Sequence, residues 1–463
     1  MGTPRLLARS SARTSMPCLS NSLRGCTGTR QRSSTISRRK LRFTRRRGLA
    51  MHKLLLVLSI AIPAAFGLAA GGRADAAETK EPYALGWMTD AAGPAKDTYY
   101  PEAIGFDLYV KALNDRGGID GHPISLKIED YGLDAAKGAA AARKLVERDK
   151  VLILMGMSIE ATMPSIFEVA RASNTPVITG HSSRLDAYPP ADPLIFTMGN
   201  VFETATDTMV RLTERTFEKM NLTNMSIGCY IHEAPAAEAV CGRRLKGFAE
   251  KTKIKPASKY ITAPLKTADF SPYAQQLIKD DPTSIWIYTI ASHGVAMTKG
   301  VRALGYKGKT LWSFEATPEY LVDQAGGQVW GASAFLSPHD PEAAAKVPEM
   351  AKLLGAAKKY GTPSSISVGT TRGWVMGIAA EKALKECGFP CDKPRLAQIM
   401  SNNFTIDSRG LSGGPITWTK NDHYGCRYFT MYQAEAGKKD ITRILPEWLK
   451  FCPGDEFYPV KKS

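Results

Sequence analysis

The pattern of apolar and polar positions between residues 103 and 130 changes its period once. Apolar residues first recur at the spacing of one helix face, at Ile104, Phe106, Leu108, Tyr109, Ala112 and Leu113. Gly117 and Gly118 then supply the backbone freedom for a sharp reversal. After it, Ile124, Leu126 and Ile128 alternate with polar residues, which is typical of a strand. This segment therefore predicts a helix, a glycine turn and a strand.

Helices and short apolar strands continue to alternate along the rest of the chain. A first set has predicted strands at 83–88, 124–128, 151–156, 176–179 and 195–197, with helices at 137–149 and from 162. A second set has strands at 225–231, 259–262, 284–289 and 310–313, with helices at 204–220, 236–251, 270–279 and 295–304. Helices at 347–360 and 372–387 precede strands at 415–418, 428–433 and 441–445. This order predicts an α/β fold with two open, mostly parallel sheets covered by helices on both faces.

Open α/β sheets bind ligands in the crevice beyond the carboxyl ends of their strands. The informative loops are therefore those that follow strands. They are 88–100, 156–162 and 179–183 in the first set, and 230–236, 289–294 and 313–317 in the second. Two such units facing each other would form a cleft that closes by a hinge motion.

The net charge of the 463-residue chain, +17, is concentrated in its first segment. Residues 1–50 contain 13 lysines and arginines and no acidic residue, and residues 51–76 add a net +1, which leaves +3 for the remainder. A nearly neutral body does not indicate a nucleic-acid partner. With 44% hydrophobic residues, the chain has enough core-forming material for two or more domains.

Residues 51–76 are predicted to be a secretory signal peptide. Lys53 precedes an apolar run at 54–70, and Ala-Asp-Ala at 74–76 has the small-residue pattern of a cleavage site. A membrane anchor is the alternative, because the run is nearly long enough to span a bilayer. Residues 1–50 are predicted to be a disordered basic leader. A start at Met51, a twin-arginine signal and an organellar transit peptide remain alternatives for that segment.

Six cysteines follow the predicted cleavage site: Cys229, Cys241, Cys387, Cys391, Cys426 and Cys452. An even number in an exported chain suggests disulfides. The short loop from Cys387 to Cys391 could close on itself, Cys426 could pair with Cys452, and the remaining two would form a third bond. Sequence does not determine the pairing, and free buried thiols are the alternative. The cysteine spacing does not indicate a zinc site, and we expect no metal.

Catalytic signatures are scarce, and hydroxyl groups stand in the loops that follow strands. No G-x-S-x-G, H-E-x-x-H or G-x-G-x-x-G motif occurs. Hydroxyls in the first set's loops, with backbone amides at helix starts, suit an anionic ligand group. Helix capping is the alternative role. The candidates are Ser158, Thr162, Ser182 and Ser183, with His181 in the same loop.

Three further residues are candidates for the walls of the cleft. Glu315 follows a strand of the second set and could meet a cation or donor of the ligand, or be a solvated loop carboxylate. Tyr99 and Tyr100 could line the cleft, or pack on the surface of the first unit. We expect no cofactor and no enzymatic activity, because no nucleophile is placed beside a base.

The segment AIGFDLYVKALNDRGGIDGHPISLKIED resembles the GGI-x-G segment of the Leu/Ile/Val-binding periplasmic proteins, the solute receptors of ABC importers. AAAARKLVERDKVLILMG and GGPITWTKNDHYGCRYFTMYQ are similar to later parts of that family. The resemblance implies the two-lobe periplasmic binding protein fold with three hinge crossings. Mapped onto this sequence, lobe one is 78–197 plus 338–412, and lobe two is 198–337 plus 413–463.

The resemblance also implies a ligand site. In the amino-acid receptors, loops of the first lobe hold the carboxylate of the ligand and an acid of the second lobe meets its ammonium group. The matching positions here are 158–162, 181–183 and Glu315. The loop after residue 156 lacks the usual run of serines, and Glu160 would repel a carboxylate if it pointed inward. Amides, urea-like solutes and aromatic or short organic acids are therefore open beside amino acids.

The resulting expectation is a monomeric periplasmic receptor that binds a small solute between its lobes and docks on an ABC permease of the inner membrane. A sensor or scavenger of the same fold, and an exported enzyme, are the alternatives.

Overall fold

The computed structural model describes residues 80–456, except 158, 181, 224, 235–236, 251, 257–258, 314–318 and 363–365. The predicted leader (1–50) and signal peptide (51–76) lie outside the described residues. No helix in the described part of the chain has the length and apolar character needed to cross a membrane.

Twelve α-helices are named here in chain order, within those residues. They are α1 (Lys96–Asp115), α2 (Ala135–Arg143), α3 (Met163–Ala172), α4 (Phe202–Lys219), α5 (Leu245–Ala249), α6 (Ser271–Leu277), α7 (Ala291–Ala303), α8 (Val322–Ala325), α9 (Pro341–Lys346), α10 (Pro348–Tyr360), α11 (Val368–Cys387) and α12 (Lys393–Ser401). A π-helical segment extends α2 over Lys144–Arg148, and another, called the wide turn below, precedes α5 over Glu238–Arg244.

The strands of the same residues are β1 (Tyr83–Thr89), β2 (Ile124–Asp130), β3 (Leu154–Gly156), β4 (Val177–Thr179), β5 (Ser182–Ser183), β6 (Ile195–Thr197), β7 (Asn200–Val201), β8 (Met225–His232), β9 (Ile254–Pro256), β10 (Ile261–Ala263), β11 (Ser284–Tyr288), β12 (Lys309–Trp312), β13 (Gln328–Ser333), β14 (Phe404–Ile406), β15 (Ile416–Trp418), β16 (Arg427–Glu435), β17 (Thr442–Arg443) and β18 (Leu449–Phe451).

The first sheet has the strand order β2-β1-β3-β4-β6, and all of its pairs are parallel. Its central strands β1, β3 and β4 are mostly apolar on both faces and buried except for the partly exposed Ala84, as expected for a parallel sheet between two helical layers. Because the strands run the same way, their carboxyl ends, at Thr89, Asp130, Gly156, Thr179 and Thr197, lie along one edge.

The second sheet has the strand order β10-β8-β11-β12-β13-β16-β17. Its pairs are parallel from β10 to β13, and β13 then pairs with β16 in the antiparallel sense. The late strand β16 thus completes a sheet whose other main strands come from the middle of the chain. The two sheets with their covering helices confirm the predicted α/β fold class.

Helix α11 packs against α1 at glycine positions. A Cβ atom on Gly105 of α1 would lie 2.0 Å from the carbonyl oxygen of Thr370, and one on Gly373 of α11 would lie 2.0 Å from that of Glu102. Gly377, one turn further along α11, faces the ring of Tyr109. Only glycine lets the two backbones approach this closely, so a late segment of the chain covers the first sheet.

Some predicted boundaries were wrong. Helix α11 begins at Val368, four residues before the predicted start, because the Ser367 side chain caps it by accepting from Gly369 N. The predicted strand at 151–156 is extended only over Leu154–Gly156. The predicted helix at 236–251 is divided between a wide turn and the short helix α5.

The six cysteines form three disulfides, which are the pairs considered from the sequence. They are Cys229–Cys241, Cys387–Cys391 and Cys426–Cys452. The first joins β8 to the wide turn before α5, the second closes the loop after α11, and the third joins the segment before β16 to the segment after β18.

Candidate functional site

The carboxyl-end loops of the two sheets touch each other. The backbone N–H of Ala291, the first residue of α7, donates to the Thr98 hydroxyl of α1 at 2.9 Å. The Ser292 hydroxyl donates to the carbonyl of Pro94, in the loop after β1, at 3.2 Å. The segments that follow β1 and β11 are therefore held together directly, and they form a contact between the two sheets.

A small apolar cluster lies at the same contact. Ala95, Tyr99 and Ile159 come from loops and a helix start of the first sheet, and Ile290 comes from the loop after β11 of the second. All four side chains are buried, and Tyr99 is only 4% exposed. The cluster gives the contact a hydrophobic centre, as in a cleft whose two sides have closed on each other.

Asp90 shapes the loop that carries this contact. Its carboxylate accepts from the backbone N–H groups of Gly93 (2.6 Å) and Ala95 (2.8 Å), which orders the chain just before α1. Burial raises the pKa of Asp90, and the nearby charge of Asp130 raises it further, while the backbone hydrogen bonds act in the opposite direction. The rim of the first sheet is thus acidic.

Three buried polar oxygens around this contact have no hydrogen-bond partner. They are the hydroxyl of Thr89 at the end of β1, the hydroxyl of Thr289 just after β11, and Oε2 of Glu160 in the loop after β3. Thr89 is 2% exposed and Thr289 is 0% exposed. A buried polar group without a partner is costly, so these atoms are candidates for contact with a bound molecule.

Glu160 lies in the loop after β3, and its carboxyl group interacts electrostatically with Arg184 of the loop after β4. Burial raises its pKa, and the positive charge of Arg184 partly opposes that effect. Arg184 itself donates to Asp186 at 3.1 Å. Among the described residues, Glu160 takes part in no hydrogen bond or ion pair.

A buried ion pair lies beside the carboxyl end of β4. Arg372 of α11 donates to Glu102 of α1 at 2.6 Å, and both side chains are almost fully buried. A Cβ on Gly180, directly after β4, would lie 1.9 Å from Glu102 Oε2. The carboxylate of the pair therefore lies directly against the backbone of Gly180.

The structure describes only some of the site residues that the sequence predicts. Ser158, His181 and Glu315 lie outside the described residues. Ser182 and Ser183 form β5, whose backbone pairs with β7, Asn200–Val201. Thr162 is buried and its hydroxyl donates to the carbonyl of Ile159 at 2.9 Å, so it does not cap α3 by its side chain.

The two tyrosines differ. Tyr99 lies in the apolar cluster between the sheets, whereas the neighbouring Tyr100 is 39% exposed. Whether either one contacts a ligand stays a prediction.

Sequence reasoning missed Thr289 at this contact and the buried ion pair of Glu102 and Arg372 that joins α1 to α11. Thr289 directly follows a buried strand, so the rule that places sites after parallel strands already pointed to its loop. Glu102 and Arg372 are in helices, far apart in sequence, and carry no comparable signal. Their pairing depends on how α11 packs on α1.

His232 and His293 are buried within the second sheet and its covering helices. His293 shares a hydrogen bond with the Tyr230 hydroxyl at 2.9 Å and another with the carbonyl of Leu265 at 3.1 Å. Burial lowers the pKa of His232, at the end of β8, to about 4, and the nearby His293 contributes. No group of three or more His, Cys, Asp or Glu residues that could hold a metal ion occurs among the residues described.

The sequence matches one family model. That family is described as periplasmic binding protein, and the match covers residues 82–439. No curated protein matches the chain in sequence.

Solved structures resemble the fold at low sequence identity. A leucine binding protein from Thermotoga maritima is 16% identical, with 80% of this chain and 99% of that one covered and a TM-score of 0.63. A solute binding protein of an ABC transporter from Rhodopseudomonas palustris, in complex with 3,4-dihydroxybenzoic acid, is 18% identical, with coverages of 81% and 98% and a TM-score of 0.64. A branched-chain amino acid transporter substrate binding protein from Streptococcus pneumoniae, in complex with isoleucine, is 16% identical, with coverages of 80% and 100% and a TM-score of 0.63.

Proposed function

Because the chain belongs to the periplasmic binding protein family, we propose that it is an exported receptor that captures a small solute for an ABC importer. The observation that carries this proposal is the direct contact between the carboxyl-end loops of the two sheets, through Thr98 and Ala291. Carboxyl ends are where open α/β sheets bind ligands. A solute held between two such edges is bound without any reaction.

We place the two lobes of this receptor at 78–197 plus 338–412 and at 198–337 plus 413–463. The packing of α11 on α1 supports assignment of the late helices to the first lobe. The pairing of β13 with β16 supports assignment of the last strands to the second. A solute that contacts both lobes would stabilise the closed arrangement.

The solute is proposed to be small and polar or carboxylate-bearing, such as a branched-chain amino acid-like compound, an amide, or an aromatic or organic acid. The structural relatives include proteins in complex with isoleucine and with 3,4-dihydroxybenzoic acid, so the fold accommodates different solutes. The proposed contacts are the loops at 158–162 and 181–183, the tyrosines at 99 and 100, and Glu315.

The partner is proposed to be an ABC permease in the inner membrane, and the receptor is proposed to be a periplasmic monomer released by cleavage near residue 76. Mass spectrometry of the protein purified from the periplasm would give its N-terminus. An intact segment at 51–76 would contradict cleavage.

A thermal-shift screen of that protein against amino acids, amides, and aromatic and short organic acids tests the receptor role. Ligands that bind only the folded protein raise its melting temperature in proportion to the logarithm of their concentration. We expect at least one chemical class to do so. Turnover of a compound without any stabilisation would refute the proposal. For a cationic solute, Glu315→Gln should weaken binding, and unchanged affinity would remove Glu315 from the site.

A further inference from the structure

The unpartnered oxygens at the contact between the sheets differ in whether they can accept a hydrogen bond from a ligand or donate one to it. Oε2 of Glu160 is an acceptor when the carboxyl group is ionised, whereas the hydroxyls of Thr89 and Thr289 can each donate one hydrogen bond. The two threonines are almost completely buried. A ligand that satisfies all three needs N–H or O–H donors toward Glu160 and an acceptor toward the threonines.

The positions of these three residues bring them to one region. Glu160 follows Ile159, which packs with Ile290, and Thr289 precedes Ile290. Thr89 is adjacent to the same loop, because Met157 N donates to the carbonyl of Met88 at 2.8 Å. The three groups thus lie on the three loops that meet at the apolar cluster.

The charges around Glu160 are unfavourable for a ligand carboxylate. Asp90 and Asp130 lie on the same edge of the first sheet and interact with each other. The nearby cations are engaged: Arg184 donates to Asp186, and the buried Arg372 donates to a carboxylate of α1. A carboxylate placed here would add a negative charge to an acidic rim with no uncommitted arginine among these groups.

Resting on the proposed function, we infer that the solute presents a neutral carboxamide or urea-type head group to the first sheet, with its N–H groups donating to Glu160. The carbonyl oxygen of the same head group accepts from the hydroxyl of Thr89 or Thr289. In this arrangement a carboxylate of the first lobe accepts hydrogen bonds from the solute, whereas in the amino-acid receptors the first lobe holds a carboxylate of the solute. The arrangement pairs Oε2 of Glu160 and at least one of the two threonine hydroxyls that the contact leaves unpartnered.

Matched pairs of compounds that differ only in the head group test this inference. Isothermal titration calorimetry with benzamide and benzoate, and with isovaleramide and isovalerate, measures the preference of the full receptor. A hydrogen bond to a charged group changes affinity by about tenfold or more, so we expect each amide to bind at least about tenfold more tightly than its acid. Glu160→Gln should remove that preference, because the Gln side chain can donate to a carboxylate.

Two further variants separate site effects from general ones. Glu168→Gln removes the same charge from an exposed position on α3 and should leave the amide preference unchanged. Thr289→Val removes a hydroxyl at nearly constant volume and should weaken amide binding. Each variant is first compared with the wild type by thermal unfolding without ligand.

The possible failures are distinguishable. Tighter binding of the acids, or an amide preference that Glu160→Gln and Thr289→Val leave unchanged, would overturn this inference while the receptor role stands. Absence of binding by all four compounds, together with a solute screen without any stabilising compound, would overturn the receptor role and this inference with it.

Discussion

The close packing of α11 on α1 gives a sharp prediction for Gly373→Ala. The added Cβ would lie 2.0 Å from the carbonyl oxygen of Glu102 and 2.9 Å from the backbone N of Phe106. Ordinary van der Waals contact begins near 3.4 Å. Because both neighbours are backbone atoms, no side-chain rotation relieves the overlap, and the helices must move apart by roughly 1 Å.

The expected cost combines two destabilising effects and one stabilising effect. Overpacking a well-packed interior destabilises by about 1–3 kcal/mol and occasionally by more. Separation of the helices also stretches the buried Arg372–Glu102 pair, and breaking such a pair costs about 3–5 kcal/mol. Replacing a helical glycine by alanine returns about 1 kcal/mol. Because the pair is lengthened and not broken, we assign it roughly 2 kcal/mol of that cost, and we expect a net loss of about 2–4 kcal/mol in the free energy of unfolding.

Gly355→Ala is the matched control. Gly355 lies within α10, is exposed, and has no atom within 4 Å of an added Cβ. The same substitution there should stabilise the protein by about 0.5–1 kcal/mol. Urea unfolding of both variants, followed by circular dichroism, gives the comparison. A Gly373→Ala protein as stable as the wild type would refute the close-packing argument.

Two further predictions concern stability. Replacing Cys426 and Cys452 by serine opens a loop with a sequence separation of 26 and should lower the free energy of unfolding by about 3.5 kcal/mol through chain entropy. Replacing Cys387 and Cys391, with a separation of 4, should lower it by only about 2 kcal/mol. Equal losses for the two variants in urea unfolding would contradict this ranking. Burial lowers the pKa of His232 to about 4, so the unfolded state binds its proton first and stability is lost as the pH falls from about 6.5 toward 4. Between pH 7 and pH 4, His232→Gln should lose about 3 kcal/mol less than the wild type, and parallel pH profiles of the two proteins would refute this.

Local pattern was sufficient for the elements whose apolar spacing is regular. Strands β1, β8 and β11 were predicted to within a few residues, because burial on both faces of a parallel sheet requires a continuous apolar run. The edge strand β2 was predicted from its alternation of apolar and polar residues. Helix α1 ends where predicted, but it begins at Lys96, within the predicted loop at 88–100. The rule about carboxyl ends also directed attention to the loops after β1, β3 and β11. These inferences depend only on residues close together in the chain.

Strand β13 shows where local pattern was insufficient. Its sequence, Gln328–Ser333, has small residues and no clear alternation, and it was not predicted. It is a strand because β12 pairs with it on one side and β16 on the other. Hydrogen bonds from β12 and from β16, which lies about 100 residues away, determine its conformation, and tertiary context routinely overrides a weak local preference.

The alternation of helices and strands, and with it the two-sheet architecture, followed from the sequence pattern, and the resemblance of the GGI-x-G segment indicated the family. Folding was needed to show which side chains from distant segments lie close together: the unpartnered oxygens of Thr89, Glu160 and Thr289 around the contact between the sheets, and the buried pair of Glu102 with Arg372 within the proposed first lobe. The spacing of apolar residues indicates which face of an element is buried, because buried positions recur once per helical turn or at every second residue of a strand. Contacts between distant segments have no period, so they become visible only when the chain is folded.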